Sequence, residues 1–97
     1  MKVENMTGKN GNKVSNQFVI EDNHGNKYFQ SYDSIIAKIN NFNPYDSTVE
    51  KKKVELDKTY WNYSVTTGKY RNIFLGETKK ETERKIKSGE YILTNLN

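Results

Sequence analysis

Apolar and polar positions alternate from Val14 to Glu21, with Val14, Phe18 and Ile20 on one side and Ser15, Gln17 and Val19 on the other. A period of two predicts a strand. Glu21-Asp22-Asn23-His24-Gly25-Asn26 is dense in turn formers, and Gly25 or Asn26 can take the positive φ that a hairpin needs. Lys27 to Ser31 then returns as a second strand carrying Tyr28 and Phe29. Ser31 to Ile39 fits two templates: a helix with Ile35 and Ile39 four apart behind Ser31 or Asp33, or a strand with Ile35, Ala37 and Ile39 alternating. Its β-branched content favours the strand. Val49 to Asp57, where Val54 and Leu56 alternate with Lys53 and Glu55, predicts a final strand. Residues 1 to 13 are polar and read as a flexible arm or turn. Asn40 to Thr48 reads as a long surface loop.

The period changes in the second half. Thr66 or Thr67 can cap a helix running from about Gly68 to Leu75, with Gly76 as its stop. Tyr70, Ile73 and Phe74 would form its apolar face, with Lys69, Arg71 and Asn72 pointing elsewhere. Thr78-Lys79-Lys80-Glu81 has the form of a capping box, opening a second helix that ends at Ser88 before Gly89. Glu81 with Lys85 and Glu83 with Lys87 are favourable fourfold pairs on it. Tyr91 to Leu96 can add a short strand or an extended cover. These elements predict one α+β domain over residues 1–97: a small antiparallel sheet of about four strands followed by two C-terminal helices packed on one face.

Composition narrows the class. Only 33% of residues are hydrophobic, but 12% are aromatic, which favours a folded Tyr-rich domain over a disordered chain. With no Cys there is no disulfide and no thiolate metal site. The expected location is the cytoplasm, without a membrane segment, because no apolar run approaches the ~20 residues of a spanning helix. The net charge of +4 arises entirely after residue 50, where eleven Lys and Arg face six acids. That balance favours partners with negative charge.

The chemistry concentrates in Tyr60-Trp61-Asn62-Tyr63-Ser64-Val65-Thr66-Thr67-Gly68-Lys69-Tyr70-Arg71-Asn72. A helix N-terminus with free amides, hydroxyls and two cations is suited to anions. Tyr63, Ser64, Thr66, Thr67, Lys69 and Arg71 are the expected contacts, with Arg71 forking onto phosphate or carboxylate, Lys69 as a point charge and the Tyr rings as stacking surfaces. The alternative is that Thr67 is only a cap and Trp61, Tyr63 and Tyr70 only core. No catalytic set accompanies these residues. His24 is the sole histidine and lies in a turn, and Thr67-Gly68-Lys69-Tyr70 lacks the upstream Gly and following hydroxyl of a phosphate loop. The expectation is a protein that is not an enzyme and carries no metal and no cofactor.

Three segments, Gly11 to Phe18, Tyr28 to Ile39 and Trp61 to Gly76, resemble a family of small domains of unknown function from bacteriophages and mobile elements of low-GC Gram-positive and gut bacteria. The likeness covers nearly the whole chain apart from Phe42 to Glu50. It implies no catalytic residues. Its genomic setting implies a phage-type protein that counters host defence by binding, as an anti-CRISPR-like inhibitor or a nucleotide sponge. The partner would be a host defence protein, a nucleotide or a nucleic acid. The second expectation is a nucleic-acid-binding accessory protein of phage replication or transcription, and the third a self-assembling structural module.

Overall fold

The computed structural model describes residues 1–40 and 53–97. Six strands form one sheet in chain order: β1 (Lys2–Thr7), β2 (Lys13–Glu21), β3 (Lys27–Ser31), β4 (Ser34–Ile39), β5 (Val54–Asp57) and β6 (Tyr91–Thr94). The first five form an antiparallel meander. After β5 the chain crosses over through α1 (Val65–Leu75) and α2 (Lys79–Ser88), and β6 pairs with β5 in parallel. The architecture is α+β with both helices after β5, as the pattern predicts, but the sheet is mixed and, among the described residues, has six strands rather than about four.

The hairpin turns follow from their residues. Asp22 Oδ1 accepts from the amides of His24 at 2.9 Å and Asn26 at 3.0 Å, and Gly25 supplies φ of 82°. This is the side-chain turn that Asx residues favour. At the β3–β4 corner Tyr32 has φ of 58°, facing Asn16 at 64°. The Tyr32 amide donates to the Asn16 carbonyl at 2.7 Å, which holds both in place.

One row of the helix-covered face reads Val19, Phe29, Ala37 and Leu56 across β2 to β5. Phe29, Ala37 and Leu56 are fully buried, and Val19 packs against them. Phe74 of α1 stacks on Phe29 with ring centroids 5.8 Å apart. The buried side of β2 is therefore that of Gln17 and Val19, while Phe18 and Ile20 are half-buried on the far face. Gln17 is fully buried beside Ser31 in the neighbouring row, and neither of its amide atoms has a hydrogen-bond partner among the described residues.

Several boundaries differ from the sequence pattern. Residues 1–13 are not a loose arm: Lys2–Thr7 pairs with β2 and buries Met6. β5 begins at Val54 and is not the last strand. The expected loop from Asn40 to Thr48, beyond Asn40 itself, and the start of the predicted strand at Val49 lie outside the described residues. The fourfold pair expected for Lys85 does not form. Glu81 instead closes the capping box with Thr78, and Lys85 donates to Glu77 at 2.9 Å.

Glu77 ties the helix corner to the sheet. Its side chain is 4% exposed and accepts from Lys85, from Thr82 at 2.6 Å and from the hydroxyl of Tyr91 on β6. Burial would raise its pKa, but these donors outweigh burial and hold it below the ordinary carboxylate value. No helix among the described residues is long and apolar enough to cross a membrane.

Candidate anion-binding cleft

The turn after β5 delivers the central stretch to the sheet. Buried Asp57 accepts from the amides of Thr59 at 3.0 Å, Tyr60 at 2.9 Å and Leu96 at 2.8 Å. The chain then reaches Ser64, which caps α1: its hydroxyl accepts from the Thr67 amide at 3.1 Å. The helix thus begins at Val65, earlier than the Thr66 or Thr67 cap predicts. Thr67 is free to turn inward, and its Oγ1 meets the Ser31 hydroxyl at 2.9 Å and accepts from Ser64 at 3.0 Å. The amides of Val65 and Thr66 have no intrahelical acceptor, and no acid in the first turn offsets their partial positive charge.

Arg71 stands one turn beyond Thr67 and, like it, is 0% exposed. It does not point away from the protein with Lys69. Its Nη1 donates to the Trp61 carbonyl at 2.7 Å and to Asn62 Oδ1 at 3.4 Å, and its Nη2 donates to Asn72 Oδ1 at 3.0 Å. The guanidinium also lies 5.3 Å from the centre of the Trp61 ring. Among the described residues its Nε has no acceptor and Arg71 makes no ion pair. Burial pushes its pKa down, and the fields of Glu77 and Glu83 restore it only in part. A guanidinium still keeps its proton under such conditions, so a net positive charge is locked beneath the helix.

Above it lies a cleft of about 610 Å³ lined by Asn62, Ser64, Val65, Gly68, Lys69, Arg71, Asn72 and Lys79. Gly68 and Arg71 both line the cleft, and a Cβ at Gly68 would stand 3.7 Å from Nη2 and 3.8 Å from Nη1. Lys69 comes from α1, and Lys79 opens α2 with its Nζ 4.0 Å from Glu83. No carboxylate among the described residues lines the cleft.

Of the six expected contacts, the cleft gathers Ser64, Lys69 and Arg71. Thr67 is buried in the hydroxyl chain to Ser31, and Thr66 is exposed outside the lining. Tyr63 is 53% exposed beside the cleft, its ring edge-to-face with Tyr60 at 5.6 Å. Asn62, Asn72, Gly68 and Lys79 were not among the expected contacts. Asn62, Gly68 and Asn72 lie inside the central stretch, and their role follows only from the inward turn of Arg71. Lys79 comes from a sequence-distant helix start whose local pattern reads as capping.

The DUF8033 family model matches residues 1–90. The chain belongs to this family of unknown function. No curated protein and no solved structure matches it. The DUF8033 match spans β1 to β5, α1 and α2 and stops just before β6, so the first five strands and the cleft fall inside the matched region.

Proposed function

We propose that this member of DUF8033 is a non-enzymatic binding protein that presents the cleft to a partner with negative charge. The observation that carries the reading is the fully buried Arg71 guanidinium, without an ion-pair partner among the described residues, under a cleft that Lys69 and Lys79 flank and no described carboxylate lines. Isolating a cation from both water and counter-charge is costly. A ligand that brings negative charge to the cleft recovers part of that cost.

On this reading, and in line with the resemblance to phage and mobile-element domains, the protein counters host defence by holding a defence protein or a signalling nucleotide. A pull-down from a defence-bearing host lysate, with and without nuclease, tests it. The expected result is a protein or nucleotide retained after nuclease by the wild type and lost by the Lys69→Glu/Lys79→Glu double variant, whose changes lie on exposed side chains. A partner retained by that variant overturns the reading.

The exposed Tyr63 ring beside the cleft favours a second proposal, a nucleic-acid-binding accessory protein in which bases stack on the ring. It requires recovery of nucleic acid only, lost on nuclease treatment. Affinity would then fall steeply with added salt as phosphate counterions are released.

A further inference from the structure

An amide side chain has an acceptor end and a donor end, and its hydrogen-bond partners decide which end faces which way. Around Arg71 that decision is unambiguous. Arg71 has only donors, so the oxygens of Asn62 and Asn72 must face it, at 3.4 and 3.0 Å. The two Nδ2 groups are thereby turned away from the guanidinium, and neither donates to an acceptor among the described residues. Both residues line the cleft.

We propose that the cleft is a site for a terminal phosphate group, that Asn62 and Asn72 bind its oxygens through their amide N–H groups, and that Arg71 is the residue that positions them. This rests on the reading of the cleft as a binding surface and names the chemistry it takes. The groups gathered there are donors: two amide Nδ2 groups, Lys69, Lys79 and the Val65 amide at the start of α1. The Ser64 hydroxyl hydrogen is already committed to Thr67. A cluster rich in N–H groups and cations, without a described carboxylate, matches a ligand made of acceptor oxygens with more than one negative charge. Its volume of about 610 Å³ suits a small molecule or a chain end. A polymer backbone needs cations strung along a groove, whereas these converge on one cleft. Arg71 contributes its charge from below and fixes the donor direction of both amides.

Asn72→Asp separates this role from a structural one. The carboxylate still accepts from Nη2 of Arg71 and gives that cation a partner, so the fold is kept. The donor facing the cleft becomes an acceptor with a negative charge. The probes are inorganic phosphate, a nucleoside 5′-monophosphate, the unphosphorylated nucleoside, and one oligonucleotide with and without a 5′-phosphate. They are titrated against the full chain while the side-chain amide NMR signals of Asn62 and Asn72 are followed.

The expected result is that the phosphate-bearing probes shift both pairs of signals and the nucleoside does not. Asn72→Asp should weaken phosphate binding by about tenfold or more with an unchanged or raised urea midpoint, and Asn62→Asp should weaken it likewise. Preference for the monophosphate identifies a free nucleotide as the source, and preference for the phosphorylated oligonucleotide a strand end; either supports the site. Unmoved amide signals at millimolar phosphate, undiminished binding by both variants, or binding of the unphosphorylated nucleoside or oligonucleotide as tight as that of its phosphorylated counterpart overturns it. The wider reading fails on a different result, a pull-down partner retained when Lys69 and Lys79 are reversed in charge.

Discussion

Nη1 of Arg71 donates to the main-chain carbonyl of Trp61 at 2.7 Å while the guanidinium lies 5.3 Å from the centre of the Trp61 ring. One side chain on α1 therefore holds both the backbone and the ring of the segment that enters the helix. Removing it leaves the Trp61 carbonyl and two amide oxygens without their donor and opens a void the size of a large side chain. Arg71→Ala should lower stability by about 3 kcal/mol, read as a lower urea midpoint. Arg71→Lys should recover only part, because an ammonium cannot reach three acceptors in fork geometry. A midpoint unchanged by Arg71→Ala would show that the guanidinium does not hold this segment.

Gly68 gives a prediction of opposite sign. It lies within α1, where its helical backbone accepts any L residue, and an added Cβ would meet the guanidinium only at 3.7 to 4.0 Å, ordinary contact distance. Gly68→Ala should therefore stabilise the protein by about 0.5–1 kcal/mol by lowering the entropy of the unfolded chain. Because the new methyl group would stand against the guanidinium on a residue that lines the cleft, the same variant should weaken binding of anions. Denaturant titration checks the first effect and phosphate titration the second.

The start of α1 separates three neighbouring hydroxyls. Ser64→Ala removes the cap and should cost about 1 kcal/mol. Thr67→Val breaks the buried link to Ser31 and leaves that hydroxyl without this partner, a loss of about 1–2 kcal/mol. Thr66→Ala, on an exposed residue, should stay within about 0.5 kcal/mol. Urea midpoints of the three variants test the order. If Thr66→Ala is the most damaging, the helix begins where the bare sequence pattern places it and not at Ser64.

That contrast shows which features are legible in the chain alone. The alternation of β2, the turn at Gly25, the capping box at Thr78 and the stops at Gly76 and Gly89 are local signals, and each holds. β1 is hidden because its helix-side positions include Lys2 and Glu4, beyond the cover of the helices, and only Met6 is buried. The inner face of β2 is hidden because it carries Gln17, whose neighbour across the strands is Ser31 and not an apolar side chain. The stretch from Tyr60 to Asn72 stands out from composition alone. Its internal roles do not, since the burial of Arg71 depends on carbonyl and amide oxygens that only the folded turn brings within reach.

Glu77 and Asp57 set the expected response to pH. Burial opposes ionisation of both, but hydrogen bonds outweigh it and their pKa values in the folded state lie below the ordinary range. On acidification the unfolded chain takes up protons first, at about pH 4, so their contribution is complete above that pH and is lost as pH falls through the folded-state values. On the alkaline side Tyr91 behaves oppositely. Burial, then its bond to Glu77, pushes its pKa up to about 12, so the stability it adds is present below about pH 10 and is lost between there and pH 12. The urea midpoint should therefore be flat through neutral pH and fall at both ends. Glu77→Gln should lower the neutral plateau, approach the wild type as pH falls through the lowered folded-state pKa of Glu77 and flatten the acid limb, while Tyr91→Phe should flatten the alkaline limb. An acid limb unchanged by Glu77→Gln would mean that the carboxylate gains nothing from Thr82, Lys85 and Tyr91 in the folded protein.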